Sequence, residues 1–490
     1  MVEAQVAPDE QTTLQALQET RPELAHAFTL ALPQARTGVL RRLWGALWRE
    51  GVIDPLRLGT PAPTLFGAVP ATVVADGVAH THPARLLAAL RPTGHADRLV
   101  RELDNSVANL ALALAAADLT AASLTTAAYR DLAALEQSIV DGHPLHPCCR
   151  TRIGMSTADV LAYAPEHHPT VRLRIVEVDP ARWRTGGTPR PPLLPVHPWQ
   201  LERALATGLV RDTGRDLPAR PLMSLRTLAP LDTPGQHLKT AVEVQMTSAV
   251  RTLSAAAVHN GPLASDLVAT LAARTRGLRV LRETTAATVL DAHGDPQRAL
   301  GAVWRQAPPT GAFVLPLALL PHRPDLLTPA FFAQLVRLLL PALFDLLRDG
   351  VALEAHGQNT LVELRDGRPH TIWYRDLGGL HVHPGRLARA GLPMPPLIGA
   401  LPTDDEDELR TKLFAAALST VLTELVHALG DRHAGAAWDV VAGTVRDTVT
   451  DTDDRKACLA DTWPLKATTA MRLADDPLQD LWCHIPNPLR

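Results

Sequence analysis

The chain has 490 residues, 46% hydrophobic and 20% charged, with a formal net charge of −3. That length exceeds what one hydrophobic core organises, so two or three packed units are expected. The composition is that of an ordinary globular protein, and so slight a charge excludes the broad basic footprint of a nucleic-acid binder; any anion site must be built locally. The four cysteines make no disulfide framework, because Cys148 and Cys149 are adjacent and cannot bridge in ordinary geometry, while Cys458 and Cys483 stand alone. Residues 1–10 are polar and acidic, without a charged-then-apolar leader. No run of about 18 uninterrupted apolar residues occurs, and Asp118 breaks the Ala/Leu-rich run at 109–124. A cytoplasmic protein with no membrane span is expected.

From about 11 to 139 the pattern is helical, with apolar residues three and four apart through Leu99, Leu103, Val107, Leu110 and Leu114. The texture changes after Asp141. Residues 171–178, 238–246 and 278–281 alternate apolar and polar, as strands do. Prolines, 42 in all, gather in connecting stretches such as 188–198. Helix returns at Thr328, an N-cap followed by Pro329 at the first helical position, and runs to Gly350 with a kink expected at Pro341. Short strands at 359–364 and 370–374 flank an Asp366-Gly367 turn, and amphipathic helices follow at 406–429 and 436–448. The fold class is α+β in three parts: a helical unit at 1–139, a β-rich unit at 140–325, and a helical unit with an embedded hairpin at 326–490.

Three clusters could carry chemistry. On the strand at 238–246, Leu238, Val242, Val244 and Met246 take the buried side and Lys239, Glu243, Gln245 and Thr247 the other, and an extended chain would continue that polar row to Arg251. Upstream, Ser224 and Arg226 share one face of Ser224-Leu225-Arg226-Thr227. Lys239, Arg226 and Arg251 would supply the cations that a triphosphate and a carboxylate need where they meet. An ordinary solvated strand face would show the same alternation. In the hairpin, pairing Arg365 with Arg368 and counting outward sets Gly357 opposite Asp376, so Glu354, His356, Gln358, Asn359 and Asp376 gather at the open end. Such carboxylate and amide oxygens suit Mg²⁺, although plain hairpin-end hydrogen bonding would use the same residues.

The third cluster, 142–152, holds His143, His146, Cys148 and Cys149. Zinc motifs space their ligands and draw on a second distant pair, which is missing, so a polar substrate loop or a structural turn is the better reading. No Walker-type loop, dinucleotide fingerprint, zincin motif or nucleophile elbow occurs, so any use of ATP is without the common phosphate loops.

These motifs occur together, in order, over residues 140–490, and they resemble the NRPS-independent siderophore synthetases, the aerobactin-synthetase (IucA/IucC-like) family. The resemblance rests on the His-Pro loop, Val196-His197-Pro198-Trp199-Gln200, Ser224-Leu225-Arg226-Thr227, Lys239 through Arg251, Glu354 to Asn359, Arg375-Asp376, and a tail with Lys466, Arg472 and Asn487-Pro488-Leu489. It implies a hand-like fold in which 1–139 is a helical thumb, 140–325 β-rich fingers and 326–490 a helical palm. It implies adenylation of citrate or a related polycarboxylic acid, then condensation with an amine or alcohol, with ATP and Mg²⁺ as cofactors. Ser224, Arg226, Thr227, Lys239, His356, Gln358 and Asn359 would bind ATP, and Glu354 with Asp376 would hold the metal. His143, His146, Thr247, Arg251 and His356 would hold the acid, with Arg251, Lys239, His356 and His146 the catalytic set. A homodimer is the assembly the resemblance suggests.

This chain departs from the family at Arg150, where the loop usually carries lysine; a changed donor geometry there would alter acid selectivity. Two other classes compete. A kinase-like phosphotransferase would use His356-Gly357-Gln358-Asn359 and Asp376 on two metal ions, but no glycine-rich phosphate loop occurs, and Gln358 stands where that loop has its aspartate base. A non-catalytic carboxylate-binding protein would need no complete catalytic set.

Overall fold

The computed structural model describes residues 9–120 and 131–490. Residues 1–8, read above for a leader, and 121–124 of the Ala/Leu-rich run lie outside them. In the N-terminal part the helices Pro22–Arg49 and Ala96–Thr120 lie against each other, with Pro83–Leu90 beside them. Their apolar stripes meet: Leu40, Leu43 and Leu47 share one core with Leu99, Leu103 and Val107. That core also receives Cys148, Met155, Val242, Val244, Met246 and Leu473. The His-Pro loop and part of the middle region are therefore seated on the N-terminal helices.

The middle of the chain builds an eight-stranded antiparallel sheet. Its order is Trp183–Gly187, Glu283–Leu290, Pro296–Gln306, Gln236–Thr240, Thr227–Pro230, Val210–Pro221, Val171–Val178 and Leu193–Val196. Val171, Leu173, Val176 and Val178 are buried in its core, and the alternation slips by one at a bulge between Arg174 and Val176 that leaves Ile175 half-buried.

The single strand expected at 238–246 is two. Gln236–Thr240 belongs to the large sheet, while Val242–Met246 forms a three-stranded sheet with Ala249–Arg251 and Arg152–Ile153. The chain changes sheets at Ala241, which is buried and donates its N–H to Gly301 O at 3.2 Å. Alternation falters there, with Thr240 in the apolar row and Ala241 in the polar one, but so slight a break does not announce a change of sheet. Nor does Arg251 continue the row. The chain reverses at Thr247, where φ is +57°, Met246 pairs with Ala249, and Arg251 comes back opposite Val242.

The helix Pro329–Arg348 starts as expected, the Thr328 side chain accepting from Phe331 N, and it is continuous across Pro341. The hairpin is Thr360–Arg365 with Arg368–Tyr374. Arg365 pairs with Arg368 as expected, but the register then slips, and Glu363 faces Thr371. Pro369 has no N–H to give the ladder, and His370 is the extra residue of a bulge. Arg375 N accordingly donates to Asn359 O at 3.0 Å, and by the same count Gln358, not Gly357, stands across from Asp376. Among the described residues, Pro329–Arg348 and the segment Glu406–Leu429 are long and apolar enough to cross a membrane. Most of each lies inside the fold, packed into the core that the hairpin shares.

Candidate active site

The central strands of the large sheet, the small three-stranded sheet and the open end of the hairpin converge on one site. Ser224, Leu225 and Arg226 form a tight turn, with Arg226 N donating to Ser224 O at 2.7 Å and Leu225 at φ +63°. Ser224 Oγ accepts from Thr227 N at 3.2 Å. The turn is tied to the sheet, since Thr240 N and Oγ1 both donate to Arg226 O. Arg226 reaches Thr252 O at 2.9 Å, and Arg251 reaches Met246 O at 2.8 Å. Burial pulls both guanidinium pKa values down, Arg226 to about 10, and their mutual repulsion adds to the lowering at Arg226. Thr227 is buried in the strand beside Lys239. Of this group, then, Arg226, Lys239 and Arg251 come together, Ser224 lies in their turn, and Thr227 is covered.

The carboxylates come from the other side. Lys239 Nζ lies 2.8 and 2.9 Å from the two oxygens of Asp376, and Arg305, on the neighbouring strand, is 3.5 Å from the same group. Burial would raise the Asp376 pKa, but Lys239 and Arg305 outweigh it and hold the group well below the usual carboxylate range. Asp376 is held at φ +68°, a conformation that costs a non-glycine residue about 1 kcal/mol. Thr247 and Asp376, two of the seven described non-glycine residues with positive φ, stand at this site, and a third, Leu225, is buried beneath it. Glu354 pairs with Lys466 at 3.5 Å, and a side chain at Gly379 would displace its carboxylate from the place it holds beside the turn after Asp376.

Asn359 Nδ2 donates to His356 Nε2 at 3.2 Å. Burial lowers the His356 pKa, against the opposing field of Glu354 and Asp376. His143 Nδ1 accepts from Leu145 N and His146 N at 3.2 and 3.1 Å, and His146 Nδ1 accepts from Cys148 N at 3.0 Å. A neutral imidazole whose Nδ1 accepts carries its proton on Nε2. His146 therefore donates to Ser248 Oγ at 2.7 Å, freeing that hydroxyl's own proton for another acceptor. Burial holds His146 well below the ordinary histidine value, and two backbone N–H groups occupy Nδ1 of His143, so both are neutral donors. His143 is exposed to solvent. Thr247 lies at the reversal beside Ser248, and Gln358 uses its backbone oxygen to accept from Arg375 at 2.8 Å.

The sequence reading missed what fixes these groups. Arg375 is clamped by Glu136 at 2.7 Å, and the other oxygen of Glu136 accepts from Met223 N. Arg472 pairs with Glu102 through two contacts and donates to Ser248 O at 2.6 Å. Both glutamates come from the segment before residue 140, where no motif was matched. A glutamate between Leu99 and Leu103 on an otherwise apolar stripe was the available signal, since a charge there needs a buried cation. Arg150, expected to bear on acid selectivity, is instead buried, donating to Val140 O and Ile139 O and pairing with Glu166 at 3.1 Å, so it braces the loop from behind. Lys466, met before only as part of a tail motif, belongs to the cleft.

As for metal and nucleotide, the donors fit. Glu354 and Asp376 offer hard oxygens on adjoining turns, and Arg226, Lys239 and Arg251 offer cations around them.

A family profile described as "IucA / IucC family" matches residues 131–192 and 188–321, and one described as "Ferric iron reductase FhuF-like transporter" matches 329–479. Staphyloferrin A synthase of Staphylococcus aureus is 24% identical, over 74% of this chain and 73% of its own length. L-2,3-diaminopropanoate–citrate ligase of the same organism is 25% identical over 72% and 74%. The structure of ATP-bound aerobactin synthetase IucA from Klebsiella pneumoniae superposes with a TM-score of 0.75 at 22% identity, covering 92% of this chain and 99% of that one, which shows a shared fold. The chain belongs to the IucA/IucC-like family, the NRPS-independent siderophore synthetases.

Proposed function

We propose that the chain is an ATP-dependent synthetase of siderophore biosynthesis, working in the cytoplasm. It activates citrate or a related polycarboxylic acid as its acyl-adenylate and passes the acyl group to an amine or alcohol. The observation that carries this reading is the meeting of Arg226, Lys239 and Arg251 with Asp376 and Glu354 in one half-open cleft. The ATP in the Klebsiella structure and the citrate in the staphylococcal ligase's name support the choice of substrates.

In the first step a carboxylate oxygen attacks the α-phosphorus, the bond between the α- and β-phosphates breaks, and pyrophosphate leaves. Two anions must approach, so cations have to stand where they meet. Arg251 takes that position, with Arg226 and Lys239 along the phosphates and Ser224, Gln358 and Asn359 around the nucleotide. Glu354 and Asp376 would hold Mg²⁺, which when bound screens the charge of the leaving pyrophosphate. His143, His146 through Ser248, and Thr247 orient the acid's other oxygens as hydrogen-bond donors.

In the second step the acceptor's nitrogen or oxygen attacks the acyl carbon, the bond to AMP breaks, and the acceptor loses a proton. His143 and His146 cannot take it, because their Nδ1 atoms already hold backbone N–H groups. His356 Nε2 is held by the side-chain amide of Asn359 and not by a fixed backbone N–H, so it can be released, and two carboxylates lie in its field; it is our choice for the base.

The test is hydroxylamine-trapped turnover with Mg²⁺-ATP over citrate, succinate, α-ketoglutarate and monoacylated citrates. Pyrophosphate with a hydroxamate from at least one acid is expected. ADP in place of pyrophosphate would overturn the reading in favour of phosphoryl transfer.

A further inference from the structure

The cleft's two lysines and two carboxylates are paired with one another. Lys239 occupies both oxygens of Asp376, and Lys466 sits 3.5 Å from Glu354 and 2.8 Å from Asp480, which Lys412 also holds at 3.0 Å. Among the described residues no three His, Cys, Asp or Glu side chains converge as a protein-built metal cage would. Two carboxylates are far short of the six ligands of Mg²⁺, and each already has a cation.

Each pair also has a spare partner. If Lys239 moves onto a triphosphate, Asp376 keeps Arg305, which is buried and anchored by Glu283 at 2.8 Å. If Lys466 releases Glu354, it keeps Asp480. The exchange therefore strands no buried charge, which would cost several kcal/mol. Lysine suits the task, being a point charge on a flexible stem, where arginine's rigid fork would lock the carboxylate.

We infer that Lys239 and Lys466 are internal counter-cations that occupy Asp376 and Glu354 until nucleotide arrives, so the site takes its divalent cation with the nucleotide and not before it. The inference rests on reading those two carboxylates as the metal-holding groups. In this role Lys466 is a positioning residue, acting through Glu354.

The test is direct binding of Mn²⁺, as a spectroscopic stand-in for Mg²⁺, followed by electron paramagnetic resonance on the full chain with and without a non-hydrolysable ATP analogue. The wild-type chain should bind Mn²⁺ at least tenfold more weakly without the analogue than with it. Lys466→Met should tighten the nucleotide-free binding several-fold, and Lys466→Gln, which keeps a polar group against Asp480, should do the same if the first variant folds poorly. One tight Mn²⁺ per wild-type chain without nucleotide would overturn the inference, as would no response in either variant. Asp376→Asn separates the two layers. If it abolishes Mn²⁺ binding beside the analogue while the Lys466 variants do nothing, the counter-cation role alone falls; if it changes nothing, the metal reading itself is wrong.

Discussion

Two sets of charge pairs occupy the interior, and they differ in their cation. Behind the cleft are arginines: Arg472 with Glu102, Arg375 with Glu136, and Arg150 with Glu166, every side chain at most 4% exposed. Each of these arginines also donates to a backbone carbonyl, of Ser248, Gln358 and Val140 respectively. Inside the cleft are lysines, with side-chain exposures of 11% and 29% for Lys239 and Asp376, and 32% and 27% for Lys466 and Glu354. Two of the arginine forks join segments far apart in sequence, and all three are sealed from water, so they are permanent. The lysine pairs reach water and can be exchanged for a ligand. The same interaction thus serves as a rivet in one place and a placeholder in the other.

Breaking a rivet should give the largest effect. Arg472→Met leaves Glu102 buried without its cation and frees the Ser248 turn, at a cost of about 3–5 kcal/mol. Urea denaturation should show that loss, and activity should vanish with the fold. Arg251→Ala should behave in the opposite way. Its guanidinium makes one backbone bond and no ion pair within 4 Å among the described residues, so stability should change by less than about 1 kcal/mol. Pyrophosphate release should fall by about 100-fold or more, as when a transition-state donor is removed. Arg251→Ala that unfolds the chain, or Arg472→Met that spares it, would erase the distinction.

How far the sequence reveals each set follows from what local patterns encode. The strand Val171–Val178, the Thr328-Pro329 cap and the Asp366-Gly367 turn are set by neighbours in the chain, and they stand where the sequence puts them. Most of the cleft's residues were legible too, because its polar groups sit in segments dense with unusual side chains. The switch of sheets at Ala241, the bulge at His370 and the return of Arg251 were not. The switch depends on Gly301, far along the chain, while the bulge and the return come from a slip of register and a reversal at Thr247 that alternation does not encode. The rivets were hidden for a like reason: Glu102 and Glu136 lie in ordinary helical text, and their partners are 370 and 239 residues away.

Acid should find the rivets first. Burial would raise the pKa of Glu166, but Arg150 and Arg152 outweigh that and hold it near 2, against 4.5 for a free glutamate. A carboxyl depressed by folding stabilises the fold fully above its unfolded pKa and loses that contribution as pH falls through its folded one. The contribution, about 3 kcal/mol at about 1.4 kcal/mol per pH unit, should therefore drain away between about pH 4.5 and pH 2. Glu166→Gln should remove that slope from the stability-against-pH curve, and an unchanged slope would mean the pair does not act as a rivet.

The smallest effect separates the two sets at Arg150, where the resemblance leads one to expect lysine. Arg150→Lys puts that residue in place and keeps the charge. Were Arg150 a cleft residue, the change would shift which acid is activated. The guanidinium instead donates to Val140 O and Ile139 O and pairs with Glu166, three partners in different directions that an ammonium on a shorter reach cannot all keep. The expected cost is about 1–2 kcal/mol of stability, from one or two lost buried hydrogen bonds. The ratio of pyrophosphate release between citrate and succinate should stay the same within about twofold. A shifted ratio at unchanged stability would move Arg150 from the rivets into the cleft, and with it the line drawn between arginine and lysine.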